Sequence, residues 1–353
     1  MHVSLEEREK SAILELLDDV SARFASAEQP EFLAEATVLA HELPRRVRRA
    51  LNEFRLFEPP GAICVISGYP IDEERIGPTP GHWKERQRHC RSIREEMLLV
   101  LLGSLLGDVI AWSTQQDGAV VHDIAPILGH EKEQLGSGSE EELTWHIEDA
   151  FHPFRGDYLG MLCLRNPDHV PTTFAAVDVS ALDASTVRLL FEPHYTIRPD
   201  NSHLRKNRVC QADEELAAAH DRIDEMATKP EKVPVLFGSP EAPYCRLDPY
   251  FMDPPESAEA REALDRLIRT IDAQLQNVVL DAGEFCFIDN FRGVHGRRPF
   301  RARYDGTDRW LKRINITRDL RRLAVVAALA RVPAAAVSAQ QTAEQRIRRG
   351  RGV

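Results

Sequence analysis

The tripeptide His146-Ile147-Glu148 carries the strongest chemical signal in this chain. In a β-strand, residues two apart face the same side. His146 and Glu148 can therefore point together at one ion while Ile147 packs the other way. An imidazole and a carboxylate suit ferrous iron, and a third ligand completes a facial triad with open positions. Such a tripeptide also arises by chance, so it needs a partner. His295, in FIDNFRGVHGRRPF, is the candidate. It follows a strand-like run and a short loop, and Gly293 and Gly296 on either side let the backbone turn sharply. His122, His152 and His169 read as surface or hydrogen-bonded residues.

Two arginines follow. Arg309 lies 14 residues after His295, and Arg313 four after that, within RWLKR. On a strand the pair shares a face. Two cations on one inward face are costly unless anions neutralise them. A dicarboxylate co-substrate supplies one anion and an amino-acid carboxylate the other, and the guanidinium fork grips either in bidentate fashion. The competing reading is a solvated charged face, since Arg301, Arg303 and Lys312 lie close by in sequence.

Elements must bring these residues together. Ser4 and Glu7 form a capping-box pattern, followed by Ile13, Leu14, Leu17, Val20 and Phe24 at helical spacing. Further helical stretches run from about residue 31 to 54 and from 92 to 106, around a buried strand in AICVISGYP. Beyond residue 110 short apolar runs alternate with turns. TWHIE, YLGMLCLRN and FAAVDV read as strands, and NVVLDAGEFCFIDN as strand–turn–strand around Asp281-Ala282-Gly283. The polar, charged segment 199–230 reads as an insertion of the kind that forms lids. A helix is expected from about 257 to 275. Helices first and many short strands after them predict a mainly β fold, a jelly roll with N-terminal helical support. The expected division is one domain over 1–320, with helical support and first strands in 1–110 and the core in 111–320. A peripheral or disordered tail occupies 321–353.

Composition bounds the function. Of 353 residues, 45 are Lys or Arg and 56 Asp or Glu, a net charge of −11. That argues against a nucleic-acid binder. Neither apolar stretch, MLLVLLGSLLG or LAVVAALA, is long enough to span a bilayer. The charged start MHVSLEEREK is unlike a signal peptide. Cys64, Cys90, Cys163, Cys210, Cys245 and Cys286 form no CxxC pair and read as reduced, buried thiols. The expectation is a cytoplasmic protein with no membrane or nucleic-acid partner; a homo-oligomer is compatible with all of this.

Taken with DAFHPFRGDYLGMLCLRNPD, a Thr-Thr-Phe and FIDN…HGR…RW…R, these motifs resemble the clavaminate synthase-like branch of the iron(II)/2-oxoglutarate dioxygenases over residues 110–320. Within it they are most similar to free amino-acid hydroxylases acting on arginine, asparagine or lysine. The resemblance implies a cupin-like double-stranded β-helix. It implies His146, Glu148 and His295 as iron ligands, and Arg309 with Thr173 as the site of 2-oxoglutarate. It also implies Arg313 for the substrate carboxylate, Gln115 near its amino group and Asp248 at its side chain. Iron(II), 2-oxoglutarate and O2 would hydroxylate an unactivated β or γ carbon, giving succinate and CO2.

Asp248 bears on the substrate. A guanidinium would meet two carboxylates, whereas RLDPY offers one, with Arg246 two positions earlier on the same face. An ammonium needs only one partner. The reading therefore leans to lysine 3-hydroxylation, with arginine and asparagine as alternatives. A zinc hydrolase built on the same triad, or a non-catalytic jelly-roll binding module, are the readings of another class.

Overall fold

The computed structural model describes residues 1–85, 90–205, 214–322 and 330–331. Strands β1 (His2–Ser4), β2 (Ile63–Ser67), β3 (Asp108–Trp112), β4 (His122–Ile124), β5 (Leu143–His146), β6 (Tyr158–Arg165), β7 (Thr172–Ala176) and β8 (Tyr195–Ile197) come first. They are followed by β9 (Lys232–Val233), β10 (Leu236–Ser239), β11 (Ala242–Cys245), β12 (Met252–Asp253), β13 (Gln276–Val278), β14 (Phe285–Asp289), β15 (Gly293–Arg297), β16 (Trp310–Thr317) and β17 (Ala330–Arg331). A large sheet runs β1-β2-β14-β6-β16-β3-β17, with β4 also on β16; a smaller one runs β13-β7-β15-β5. The two face each other as an open double-stranded β-helix.

Strand alternation explains the layers. On β6 and β14, Leu162, Leu164, Phe285 and Phe287 face outward into one core with helices α1 (Glu7–Arg23), α2 (Pro30–Ala40), α3 (Arg45–Phe57) and α4 (Ile93–Ser104). The alternate residues Leu159, Met161, Cys163, Cys286 and Ile288 face the small sheet and meet its Phe174. The small sheet's other face, with Trp145, Ala175 and Val294, packs on Leu264, Leu267 and Ile271 of the helix Ala258–Gln274. Period-2 patterning thus creates a cleft between the sheets, backed on both sides by packed core.

Some expectations change. The first helix is capped by Glu6 with Glu9, not by Ser4 with Glu7. Ser4 ends β1, where its backbone is paired beside Ser67. Gly293 and Gly296 lie inside β15 rather than at turns. Gly296 is needed for close approach: a Cβ there would sit 2.4 Å from the Leu143 carbonyl oxygen and 2.7 Å from Thr173 Oγ1. Gly283, in the expected turn, has φ +85°, a conformation open mainly to glycine. Cys64, Cys163, Cys245 and Cys286 are buried and free of disulfides, while Cys90 is half-buried. Cys210, residues 206–213 of the expected lid and most of the expected tail lie outside the described residues. Among the described residues no helix is long and apolar enough to cross a membrane.

Candidate active site

β15 lies between β5 and β7, and His295 is directly opposite both His146 and Phe174. Cross-strand partners share a face, so the two imidazoles meet, with ring centroids 4.6 Å apart. Glu148 falls just past the end of β5. It is held there because Asn290 Oδ1 accepts the Glu148 N–H at 2.9 Å and Asn290 Nδ2 donates to the Glu148 carbonyl at 3.0 Å. Asn290, the last residue of the FIDN motif, clamps the peptide that aims the carboxylate.

Nε2 of His146 and of His295 lie 3.7 and 3.5 Å from one oxygen, Glu148 Oε2. That oxygen is buried and has no hydrogen-bond partner. The other oxygen, Oε1, is paired with Arg313 Nη1. His146 Nδ1–H donates to the Thr144 carbonyl at 2.8 Å, which turns Nε2 toward the centre. An orphaned carboxylate oxygen faced by two imidazole nitrogens is a donor set for a divalent cation, and N,N,O chemistry with open positions fits iron(II). Burial opposes charge on both rings. In His146 the nearby Glu148 and Asp248 carboxylates together outweigh it and lift the pKa to about 9, so a cation binding at Nε2 would displace a proton there, whereas His295 is held down at about 4. Glu148, despite burial, is pulled well below the carboxylate range by Arg313 and the two histidines.

Beside it lies a cationic slot. Arg309 is buried at 6% exposure, and Thr172 Oγ1 accepts from its Nη2 at 3.1 Å. Among the described residues no carboxylate pairs with Arg309. Burial lowers its pKa to about 10, still charged at neutral pH. The neighbouring Arg297 is buried too, but its two terminal nitrogens donate to the Gly138 and Glu141 carbonyls. The threonine expected here was Thr173. The register places Thr172 opposite Arg297 on the pocket face, and Thr173 opposite Gly296 on the other. Thr172 lines the pocket; Thr173 does not.

Arg313 also lines the pocket, with His122 Nδ1 2.8 Å and Gln115 Oε1 3.5 Å from its Nη2. Gln115 is buried and its Nε2 donates to Ser202 Oγ at 2.7 Å. His122, read from sequence as an ordinary histidine, is part of this group.

The far wall is acidic. Asp248 lines the pocket, and burial first, then the nearby Asp200, lifts its carboxyl to about 6. Asp200 lines the same pocket and was not singled out from sequence. Arg246, expected on the face of Asp248, turns away and donates to the Ala150 and Phe151 carbonyls. It lines a separate cleft on the other side of that segment. Metal-facing donors, a buried cation pair and two facing acids therefore occupy different walls of one pocket.

Residues 107–315 match the family described as taurine catabolism dioxygenase TauD, TfdA family. The chain is 46% identical over 331 residues to an L-ornithine/L-arginine 3-hydroxylase of Catenulispora acidiphila, covering 91% of this chain and 96% of that one. It is 45% identical over 324 residues to an enduracididine beta-hydroxylase of Streptomyces hygroscopicus, covering 90% and 94%. Among solved structures, the non-heme iron oxygenase OrfP with Fe, succinate and (3S)-hydroxy-L-Arg superposes with a TM-score of 0.89 at 49% identity, over 92% of this chain and 96% of that one.

Proposed function

Because this chain belongs to the TauD/TfdA dioxygenase family, we propose that its pocket hydroxylates free L-arginine at C3. The chain is an iron- and 2-oxoglutarate-dependent amino-acid hydroxylase, and free basic amino acids are its substrate class. A zinc hydrolase or a non-catalytic module no longer competes. The choice of arginine over lysine rests on one observation: Asp200 and Asp248 face the same pocket, and Arg246 is out of it. A guanidinium has donors on two edges and is best met by two carboxylates. The lean to lysine assumed one acid with an arginine beside it. The similarity to hydroxylases of arginine and enduracididine supports the same choice.

The residues divide the work. His146, Glu148 and His295 hold the iron. Arg309 and the Thr172 hydroxyl take the distal carboxylate of 2-oxoglutarate. Arg313, steadied by His122 and Gln115, takes the α-carboxylate of arginine; the Glu148 carboxylate accepts from its ammonium. Asp200 and Asp248 hold the guanidinium. With both ends fixed, the middle of the side chain, C3 included, faces the metal ligands, and one C–H bond is presented at high effective concentration. Iron, with 2-oxoglutarate and O2, supplies the oxidation that releases succinate and CO2 and places one oxygen on that carbon. The apolar walls Met161, Ile124 and Leu311 limit water.

Mass spectrometry with iron, ascorbate and 2-oxoglutarate tests the substrate. L-arginine should gain one oxygen with the highest kcat/KM in a panel with L-homoarginine, L-ornithine, L-lysine and L-asparagine. A higher value for lysine or asparagine would overturn the arginine reading.

The acidic wall adds a pH signature. The Asp248 carboxyl, lifted to about 6, is charged above that pH and neutral below it. Attraction for the guanidinium is thus present at neutral pH and lost as pH falls through about 6. The kcat/KM for arginine should show that acid limb, since it reports groups of the free enzyme. Asp248→Asn should remove the limb and lower kcat/KM by about 10–100-fold, the worth of one charged hydrogen bond. An acid limb unchanged in Asp248→Asn would detach it from this residue.

A further inference from the structure

Along one wall of the pocket, reaching from Asp149 into the core, lies a second group of buried polar side chains. Asp149, directly after Glu148, has φ +52°, a left-handed conformation that aspartate tolerates better than most residues. The twist turns its carboxylate from the two imidazoles toward the inner wall of the same pocket. There Asp149 Oδ2 accepts from Trp112 Nε1 at 2.5 Å, and Asp149 Oδ1 faces His203 Nε2 at 3.0 Å. His203 Nδ1 lies 2.7 Å from Thr114 Oγ1. His203 and Asp149 are both buried.

Asp149, Asp200 and His203 lie close enough together to suggest a metal site. The hydrogen bonds argue otherwise. Both nitrogens of His203 are engaged, and both oxygens of Asp149 already face donors, from Trp112 on one side and from His203 and Gln115 on the other. A cation would have to displace these. The group is a closed hydrogen-bond cluster, and its consequence lies three residues upstream. Asp200 Oδ1 accepts the Ser202 N–H at 2.8 Å and so caps the turn Asn201–His203 that His203 anchors. The anchored turn can present Asp200 in only a narrow set of directions.

We propose that His203 is a positioning residue: through Asp149 and Thr114 it pins the Asp200 turn to the segment that follows the metal-ligand strand, and so sets Asp200 against the substrate guanidinium. The backbone step from Glu148 to Asp149 then serves both ends of the site, one carboxylate facing the metal and the next holding the acid that measures the substrate. This rests on the arginine reading.

The test is a double-mutant cycle on the full-length, iron-loaded enzyme. His203→Ala should raise the KM for L-arginine about 10–100-fold, the scale of a misplacement near 1 Å, with the KM for 2-oxoglutarate unmoved. A general loss of structure would move both. His203→Gln, whose Nε2–H can still reach Asp149, should recover most of the loss. In the Asp200→Asn background, adding His203→Ala should cost little more, because the positioned group has already gone. An unchanged arginine KM in His203→Ala, a full additional loss in the Asp200→Asn background, or no recovery with His203→Gln would overturn the proposal. Should the wild-type enzyme leave arginine untouched while hydroxylating another amino acid, the substrate reading falls and the proposal with it. If His203→Ala melts far below wild type, His203→Gln and Asp200→Asn carry the same comparison between them.

Discussion

Replacing His146 with alanine should leave less than about 1% of wild-type turnover, since losing even an outer-sphere partner of a metal costs about 10–100-fold and His146 is itself a proposed ligand. The geometry explains why no neighbour can substitute. Its ring is oriented by the Thr144 carbonyl and lies opposite His295 across two paired strands, and the remaining donors, Glu148 Oε2 and His295 Nε2, make only an incomplete set. The protein should nonetheless fold. Glu148 keeps its partner Arg313 and its backbone clamp Asn290, so no buried charge is newly orphaned. Succinate release and arginine oxidation measured together, with iron binding by titration, check this. Turnover above a tenth of wild type in His146→Ala would remove His146 from the ligand set.

The parts of this site that could be read from sequence are those governed by local period. His146 and Glu148 share a face because strands alternate. The spacing from His295 to Arg309 and Arg313 put cations on one inward face. The parts that escaped depend on which strand pairs with which. Thr172 and Thr173 are adjacent and chemically identical, and only the pairing of Thr172 with Arg297 says which one meets Arg309. Asp200 sits in a polar stretch whose composition resembles any solvated insertion, and it reaches Asp248 through a turn anchored far away in the chain. Arg246 was assigned to the face of Asp248 by alternation. That rule fails once the segment leaves β11 at Cys245, and Arg246 turns to the Ala150 and Phe151 carbonyls instead. The helical half was legible in outline from apolar spacing. Its first cap was not, since Ser4 is claimed by a parallel pairing with β2 that connects the chain's first residues to strands far downstream.

Arg309→Ala should separate function from stability in opposite directions. Arg309 is buried, its guanidinium has one hydroxyl partner, its Nε has none, and the cationic Arg297 is its neighbour. Such an arrangement costs the folded protein free energy until an anion arrives. Removing the charge should therefore leave the melting temperature of the enzyme without 2-oxoglutarate unchanged or higher, although a large side chain has been lost. The same change deletes the charged partner of the distal carboxylate. Truncating one side of a buried, hydrogen-bonded charge pair costs about 2–5 kcal/mol, so the KM for 2-oxoglutarate should rise by at least about thirtyfold. Ligand linkage ties the two results: saturating 2-oxoglutarate should raise the melting temperature of wild type but scarcely that of Arg309→Ala. Arg309→Lys should recover part of the affinity, because an ammonium keeps the charge but loses the fork. A variant that melts much lower yet binds 2-oxoglutarate as wild type does would make Arg309 a structural residue and move the co-substrate elsewhere.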